Sequence, residues 1–212
     1  PEIQIAYFLL TDDIAKTQII AVRGTSNIEN AIVDVSLQLM LDKHTGVRLH
    51  SGFSHAARAM YREIKPKLKT ATVIRTTGHS LGGAVALILA MYMDVDNFKL
   101  GHIITFGQPK VTNIAGTNMF KHLSHIRVVT PDDLVPLVPP FDPLDLNNLD
   151  IYWHSGIEVL LLPGTPYAML EGLNGMLRDN NVHQQLYDDD NVHTPQISIQ
   201  KELLDKIIKR PC

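Results

Sequence analysis

Ala71-Thr72-Val73-Ile74-Arg75-Thr76-Thr77 is a short β-branched run and reads as a buried strand. Gly78-His79-Ser80-Leu81-Gly82-Gly83 follows it, and then Ala84 to Met93, a near-continuous apolar run of helical length. Strand, small-residue turn and buried helix in that order point to an α/β protein. Gly78-His79-Ser80-Leu81-Gly82 is also G-x-S-x-G, a pattern that carries meaning only between a strand and a helix, as here. The strand would deliver Ser80 to a sharp turn at the carboxyl end of a sheet. The helix N-terminus would then offer partial positive charge and free N–H groups to a developing oxyanion.

On the N-terminal side, Ile3 to Leu10 and Thr17 to Val22 are apolar runs around the turn Thr11-Asp12-Asp13, which predicts a hairpin or two neighbouring strands. Ile28 to Leu41 has a largely helical apolar spacing. Phe53 to Ile64 reads as an amphipathic helix with Ser51 as N-cap and Pro66 past its end. On the C-terminal side, Leu100 to Phe106 and Ile126 to Thr130 are core strands. Pro131 to Pro143 is a Pro- and Asp-rich loop, and Gly156 to Leu162 another strand. Tyr167 to Arg178 is expected to be helical, Asp179 to Asn191 a polar loop, and Gln196 to Lys209 a final helix. This alternation predicts a largely parallel sheet, in one domain covering 1–212.

The chain has 212 residues, 45% hydrophobic and 19% charged, an ordinary globular composition. Nineteen Lys and Arg against 22 Asp and Glu give a net charge of −3. That leaves no basic excess for nucleic acid. No apolar run is long enough for a transmembrane helix. The sole cysteine, Cys212, is the last residue, so no intramolecular disulfide forms and the compartment stays open on this ground. The chain begins at Pro1 with a strand-like segment, and any signal peptide is expected upstream of it.

A serine hydroxyl needs a histidine to take its proton and a carboxylate to orient that histidine. In the order Ser, acid, His, the acid candidates are Asp132 and Asp133, just past the strand that ends at Thr130. Spacing alone leaves a Pro-Asp turn as their alternative reading. His154, His183 and His193 follow them.

Several segments beyond the elbow resemble the class 3 lipases, the family of the fungal triacylglycerol lipases. They are Arg23-Gly24-Thr25-Ser26-Asn27-Ile28-Glu29-Asn30, His50-Ser51-Gly52-Phe53, Gly78 to Ala84, Phe106-Gly107-Gln108-Pro109-Lys110-Val111, Asp133-Leu134-Val135-Pro136, and Tyr152 to Glu158. They run in the family's order from Thr17 to about Val159. The resemblance implies an α/β-hydrolase fold with a central, mostly parallel sheet flanked by helices and a short lid helix over 27–35. It makes Ser80 the nucleophile and Asp133, not Asp132, the acid. It puts Thr25 and the N–H of Leu81 in the oxyanion hole. His154 falls on a structural position. The family's catalytic histidine immediately precedes or opens the last helix, which selects His193 over His183. Thr194 can cap that helix, and Pro195 suits its first turn. Ala31 replaces the tryptophan frequent in the lid of fungal members, and Thr112 a usual glycine.

The remaining features have plain readings. His44, His50 and His55 are too unevenly spaced for one metal-binding helix face, and Asp188-Asp189-Asp190 lacks the rest of a calcium loop. The resemblance implies a cofactor-free serine hydrolase cleaving lipid esters, a triacylglycerol lipase, at a lipid–water interface. Its alternatives are a phospholipase A1, a soluble carboxylic or feruloyl esterase, or a silent lipid- or partner-binding relative. Secretion is the expected localisation.

Overall fold

The computed structural model describes residues 6–24, 38–130, 133, 135–139, 151–161 and 167–170. Two strands open the chain, β1 (Tyr7–Asp12) and β2 (Thr17–Val22), paired antiparallel as the hairpin reading expects. Next come β3 (Leu39–Leu41), β4 (Arg48–His50), α1 (Ser51–Ile64), β5 (Val73–His79) and α2 (Leu81–Val95). They are followed by β6 (Leu100–Phe106), β7 (Thr112–Asn113), α3 (Ile114–Met119), β8 (His125–Val129), β9 (Tyr152–Trp153), β10 (Ile157–Leu160) and β11 (Ala168–Leu170).

Among the described residues the main sheet has the order β1-β2-β5-β6-β8-β10-β11. β2, β5, β6, β8 and β10 run parallel, with antiparallel β1 and β11 at the two edges. This is the central, mostly parallel sheet that the sequence predicts. A small antiparallel sheet, β3-β4-β7-β9, lies apart from it in the pairing.

The core follows from strand alternation. Ile20 and Val22 on β2, Ile74 on β5 and Ile103 on β6 turn to one face and are buried there. α2 packs on that face, and α1 packs on α2. Every residue of α2 from Leu81 to Met93 is buried, which suits a helix that is apolar all round. The opposite face is different. One cross-strand row on it runs Phe8, Ala21, Thr77, Ile104, Ile126, Ile157, and a second runs Phe106, Val128, Val159, Met169. Here Phe8 is 70%, Leu10 58%, Ile104 36% and Phe106 43% exposed.

Three local expectations need correction. Leu39–Leu41, at the end of the helical reading of 28–41, is a strand paired with β4. A tight turn forces that pairing: Asp42 Oδ1 accepts from the N–H groups of His44 and Thr45, at 3.0 and 2.9 Å, and turn chemistry overrides periodicity. The cap of α1 is His50, not Ser51, and its Nδ1 accepts from Phe53 N–H at 3.4 Å. Ala168–Leu170 is not helical but the edge strand β11, because it pairs with β10. The lid segment 27–35, Asp132, Asp188 to Asp190 and the final helix lie outside the described residues.

The buried His50 and His125 and the half-buried His154 make the fold acid-sensitive. Burial pushes the His50 imidazole down to about 4. Burial and the Arg127 charge push His125 down to about 3. His154 is held well below its usual value by burial and by Arg127 and Lys110. Unfolded, each takes up a proton near pH 6.5, whereas the folded protein resists it. Stability is therefore full above that pH and falls as pH drops towards 4. Urea unfolding from pH 7 to 4.5 is expected to show the unfolding constant rising up to roughly tenfold per histidine per pH unit.

Candidate active site

Ser80 occupies the tight corner between β5 and α2, at φ 54 and ψ −128. This is a left-handed conformation that a side-chain-bearing residue adopts at a cost of about 1–3 kcal/mol. The surroundings enforce it. Ser80 N–H donates to Phe106 C=O on the neighbouring strand at 2.8 Å. Ser80 C=O accepts from Gly83 N–H at 2.9 Å and Ala84 N–H at 3.2 Å. Ser80 is the N-cap residue of α2, yet its hydroxyl makes no capping hydrogen bond. The hydroxyl is thus available for chemistry, and no cap side chain covers Leu81 N–H, the first of the helix. Ser80 is 3% exposed.

Small residues let the chain close around this corner. A Cβ on Gly82 would overlap the Val22 carbonyl oxygen and lie 2.8 Å from Gly24 N. A Cβ on Gly24 would lie 2.7 Å from His79 O and 3.6 Å from Ser80 Cβ. The residue before Thr25 therefore rests against the elbow. Thr25 itself lies outside the described residues. Gly82→Ala pushes a methyl group into backbone and is expected to cost about 3 kcal/mol, lowering Tm by roughly 6–12 °C in a thermal melt.

Asp133 stands at the carboxyl end of the parallel strands, past β8. Its N–H donates to Thr130 C=O at 3.2 Å, and its Oδ1 accepts from Val135 N–H at 2.9 Å. Its Oδ2 sits over Gly107, where a Cβ would overlap it; Gly107 has φ +50 and donates its N–H to Val128 C=O at 2.9 Å. Ser80 and Asp133 thus engage consecutive residues, Phe106 and Gly107, at the end of β6. That is where α/β sheets gather functional groups. Among the described residues no donor reaches Oδ2. His183 and His193 lie outside the described residues.

The stretch 135–139 after Asp133 is tied down by several hydrogen bonds. His154 Nε2 donates to Pro136 C=O at 2.7 Å. Lys110 N–H donates to Val138 C=O at 2.9 Å, and Lys110 Nζ to Pro139 C=O at 3.2 Å. Below it, Arg127 Nη2 meets Glu158 Oε2 at 3.1 Å, both buried, and Arg127 Nε donates to Ser155 C=O at 3.2 Å. His154 thus holds the loop that carries Asp133. Lys110 and Arg127 have no role that the sequence alone assigns. Their types gave no signal, because a buried cation at a carbonyl or a carboxylate is visible only once the strands are paired.

Of the three histidines His44, His50 and His55, two have local partners. His50 stacks on Phe53 with ring centroids 3.9 Å apart, His44 faces Tyr92 at 4.9 Å and Asp96 at 3.4 Å, and His55 is exposed. Among the described residues no group of three or more His, Cys, Asp or Glu is placed to hold a metal. None of the helices among them is long and apolar enough to cross a membrane.

The family model for class 3 lipases, "Lipase (class 3)", matches residues 19–142. The chain belongs to the class 3 lipases. This class 3 lipase chain is 33% identical over 161 residues to the secreted mono- and diacylglycerol lipase 1 of Fusarium solani, covering 72% of this chain and 48% of that protein. The chain spans about half, or less, of the length of the curated relatives it matches. Among solved structures, the lipase of Rhizopus microsporus var. chinensis superposes with a TM-score of 0.62 at 28% identity, over 74% of this chain and 57% of that one. Lipase II from Rhizopus niveus gives a TM-score of 0.70 at 23% identity over 89% and 72%, a likeness of fold. The α/β-hydrolase fold expected of the family is thus the fold of this chain.

Proposed function

We propose that this class 3 lipase chain hydrolyses carboxylic esters of lipids, acylglycerols foremost, through an acyl-enzyme on Ser80. The observation that carries the reading is the Ser80 elbow: a strained corner, an unengaged hydroxyl and an uncovered helix N-terminus at one point. Ser80 Oγ attacks the ester carbonyl while His193 takes its proton. His193 returns that proton to the leaving alcohol, and water then repeats the sequence on the acyl-enzyme. The tetrahedral oxyanion is held by Leu81 N–H and by Thr25. Each such donor typically supplies ~2.7–4 kcal/mol of transition-state stabilisation. Asp133 Oδ2 accepts from the histidine, fixes its tautomer and stabilises the imidazolium. No cofactor takes part.

Ser80 is buried, which supports a cover that opens where substrate collects, at a lipid–water interface. Secretion is part of the same reading and rests on the secreted relative. The test is titrated acid release from tributyrin, from below its solubility limit to an emulsion, with phosphatidylcholine vesicles in parallel. The rate is expected to rise sharply at the emulsion. Simple saturation below the limit would mean a soluble esterase, and a preference for the vesicles a phospholipase.

A further inference from the structure

Lys110 is 1% exposed, although an ammonium is costly to take out of water unless its protons are accepted. It stands on a segment fixed at both ends. Phe106 closes β6 in the main sheet. Thr112 opens β7 in the small sheet, and beside it Val111 C=O accepts from His50 N–H at 2.8 Å. Gln108, Pro109 and Val111 are buried. The first half of this segment meets the site: Phe106 C=O takes Ser80 N–H, and Gly107 lies under Asp133 Oδ2. The second half reaches the stretch after Asp133. Lys110 N–H and Lys110 Nζ donate to successive carbonyls, Val138 at 2.9 Å and Pro139 at 3.2 Å. Val138 N–H donates to Val135 C=O at 3.2 Å, and Val135 N–H to Asp133 Oδ1 at 2.9 Å. A chain of hydrogen bonds thus runs from Lys110 to the carboxylate.

We propose that Lys110 is a positioning residue for the acid, holding the Val138 and Pro139 carbonyls so that Asp133 Oδ2 stays over Gly107. The bond to Val138 alone would let the stretch pivot about it. The second bond, from Nζ, removes that freedom, and a charged donor makes it the stronger kind. A misplacement of about 1 Å at a reacting group can cost roughly a hundredfold in rate. The inference rests on the reading of Asp133 as the acid of the proposed hydrolysis.

The test is a double-mutant cycle of Lys110→Met with Asp133→Asn in the full chain, read as kcat and KM on emulsified tributyrin. Methionine keeps an unbranched apolar stem and removes the donor. Lys110→Met alone is expected to lower kcat roughly ten- to a hundredfold, with KM within about twofold. In the Asp133→Asn background the same change should cost less than about threefold, because both act through one carboxylate. Ile64→Val, buried in α1, should lower Tm and leave kcat unchanged. Hydrogen exchange gives a reading free of activity. In Lys110→Met the Val135 amide should exchange roughly tenfold faster, or more, relative to the Ile74 amide of β5. Equal losses in the two backgrounds, an unchanged kcat or an unchanged Val135 amide would overturn the proposal with the reaction intact. An inactive wild type, or an Asp133→Asn without effect, would instead be a failure of the functional reading, and Lys110 would lose its role with it. If Lys110→Met does not fold, exchange on the wild type in rising denaturant decides. The Lys110 and Val135 amides should open with one free energy, and two different ones would overturn the hold.

Discussion

Ser80→Ala is expected to lower kcat for ester hydrolysis by roughly a million-fold, the loss seen when the nucleophile of a Ser-His-Asp unit is removed. The residual rate comes from oxyanion donors and binding, which the substitution leaves in place. The same variant should keep its Tm within about 1 °C, because the Ser80 hydroxyl makes no capping hydrogen bond and alanine meets the same φ of 54. A loss of rate with no loss of stability separates chemistry from folding. A thermal melt beside initial rates on emulsified tributyrin reads both. A fall of less than tenfold would remove Ser80 from the mechanism.

Asp133→Asn is expected to cost about ten thousand-fold in kcat. The geometry gives the reason. Oδ1 accepts from Val135 N–H at 2.9 Å, and an asparagine oxygen there preserves the turn. The amide nitrogen must then replace Oδ2 over Gly107. It presents a donor where the histidine needs an acceptor, and the imidazole turns to the wrong tautomer. Asp132→Asn is the matched control and should leave kcat within about twofold. If instead Asp132→Asn carried the large loss, the acid would be the neighbouring residue and the role of Gly107 would lapse.

Much of this was legible in the sequence, for identifiable reasons. The β5–elbow–α2 unit was, because a β-branched run, a Gly-rich corner and an all-apolar run each have a single comfortable conformation and all three agree. The parallel sheet followed from strands alternating with helices. Leu39–Leu41 and Ala168–Leu170 were misread as helix, since three-residue edge strands owe their existence to a partner, β4 or β10, and not to their own pattern. Ser51 is the cap that residue type favours, but a histidine Nδ1 serves equally once His50 is buried against Phe53. Ser80 and Asp133 could be chosen from residues and resemblance. Their approach through Phe106 and Gly107 could not, because it depends on the register between β5, β6 and β8.

The most direct test of the central claim is covalent labelling of the full chain with a fluorophosphonate, followed by peptide mass spectrometry. Phosphonylation needs an activated serine beside an oxyanion hole, and it needs no guess about the lipid substrate. The account predicts stoichiometric modification of Ser80 within Thr77 to Ala84, matched by complete loss of esterase activity and abolished by prior denaturation. An unmodified Ser80, or a label on another serine that tracks the loss of activity, would contradict it.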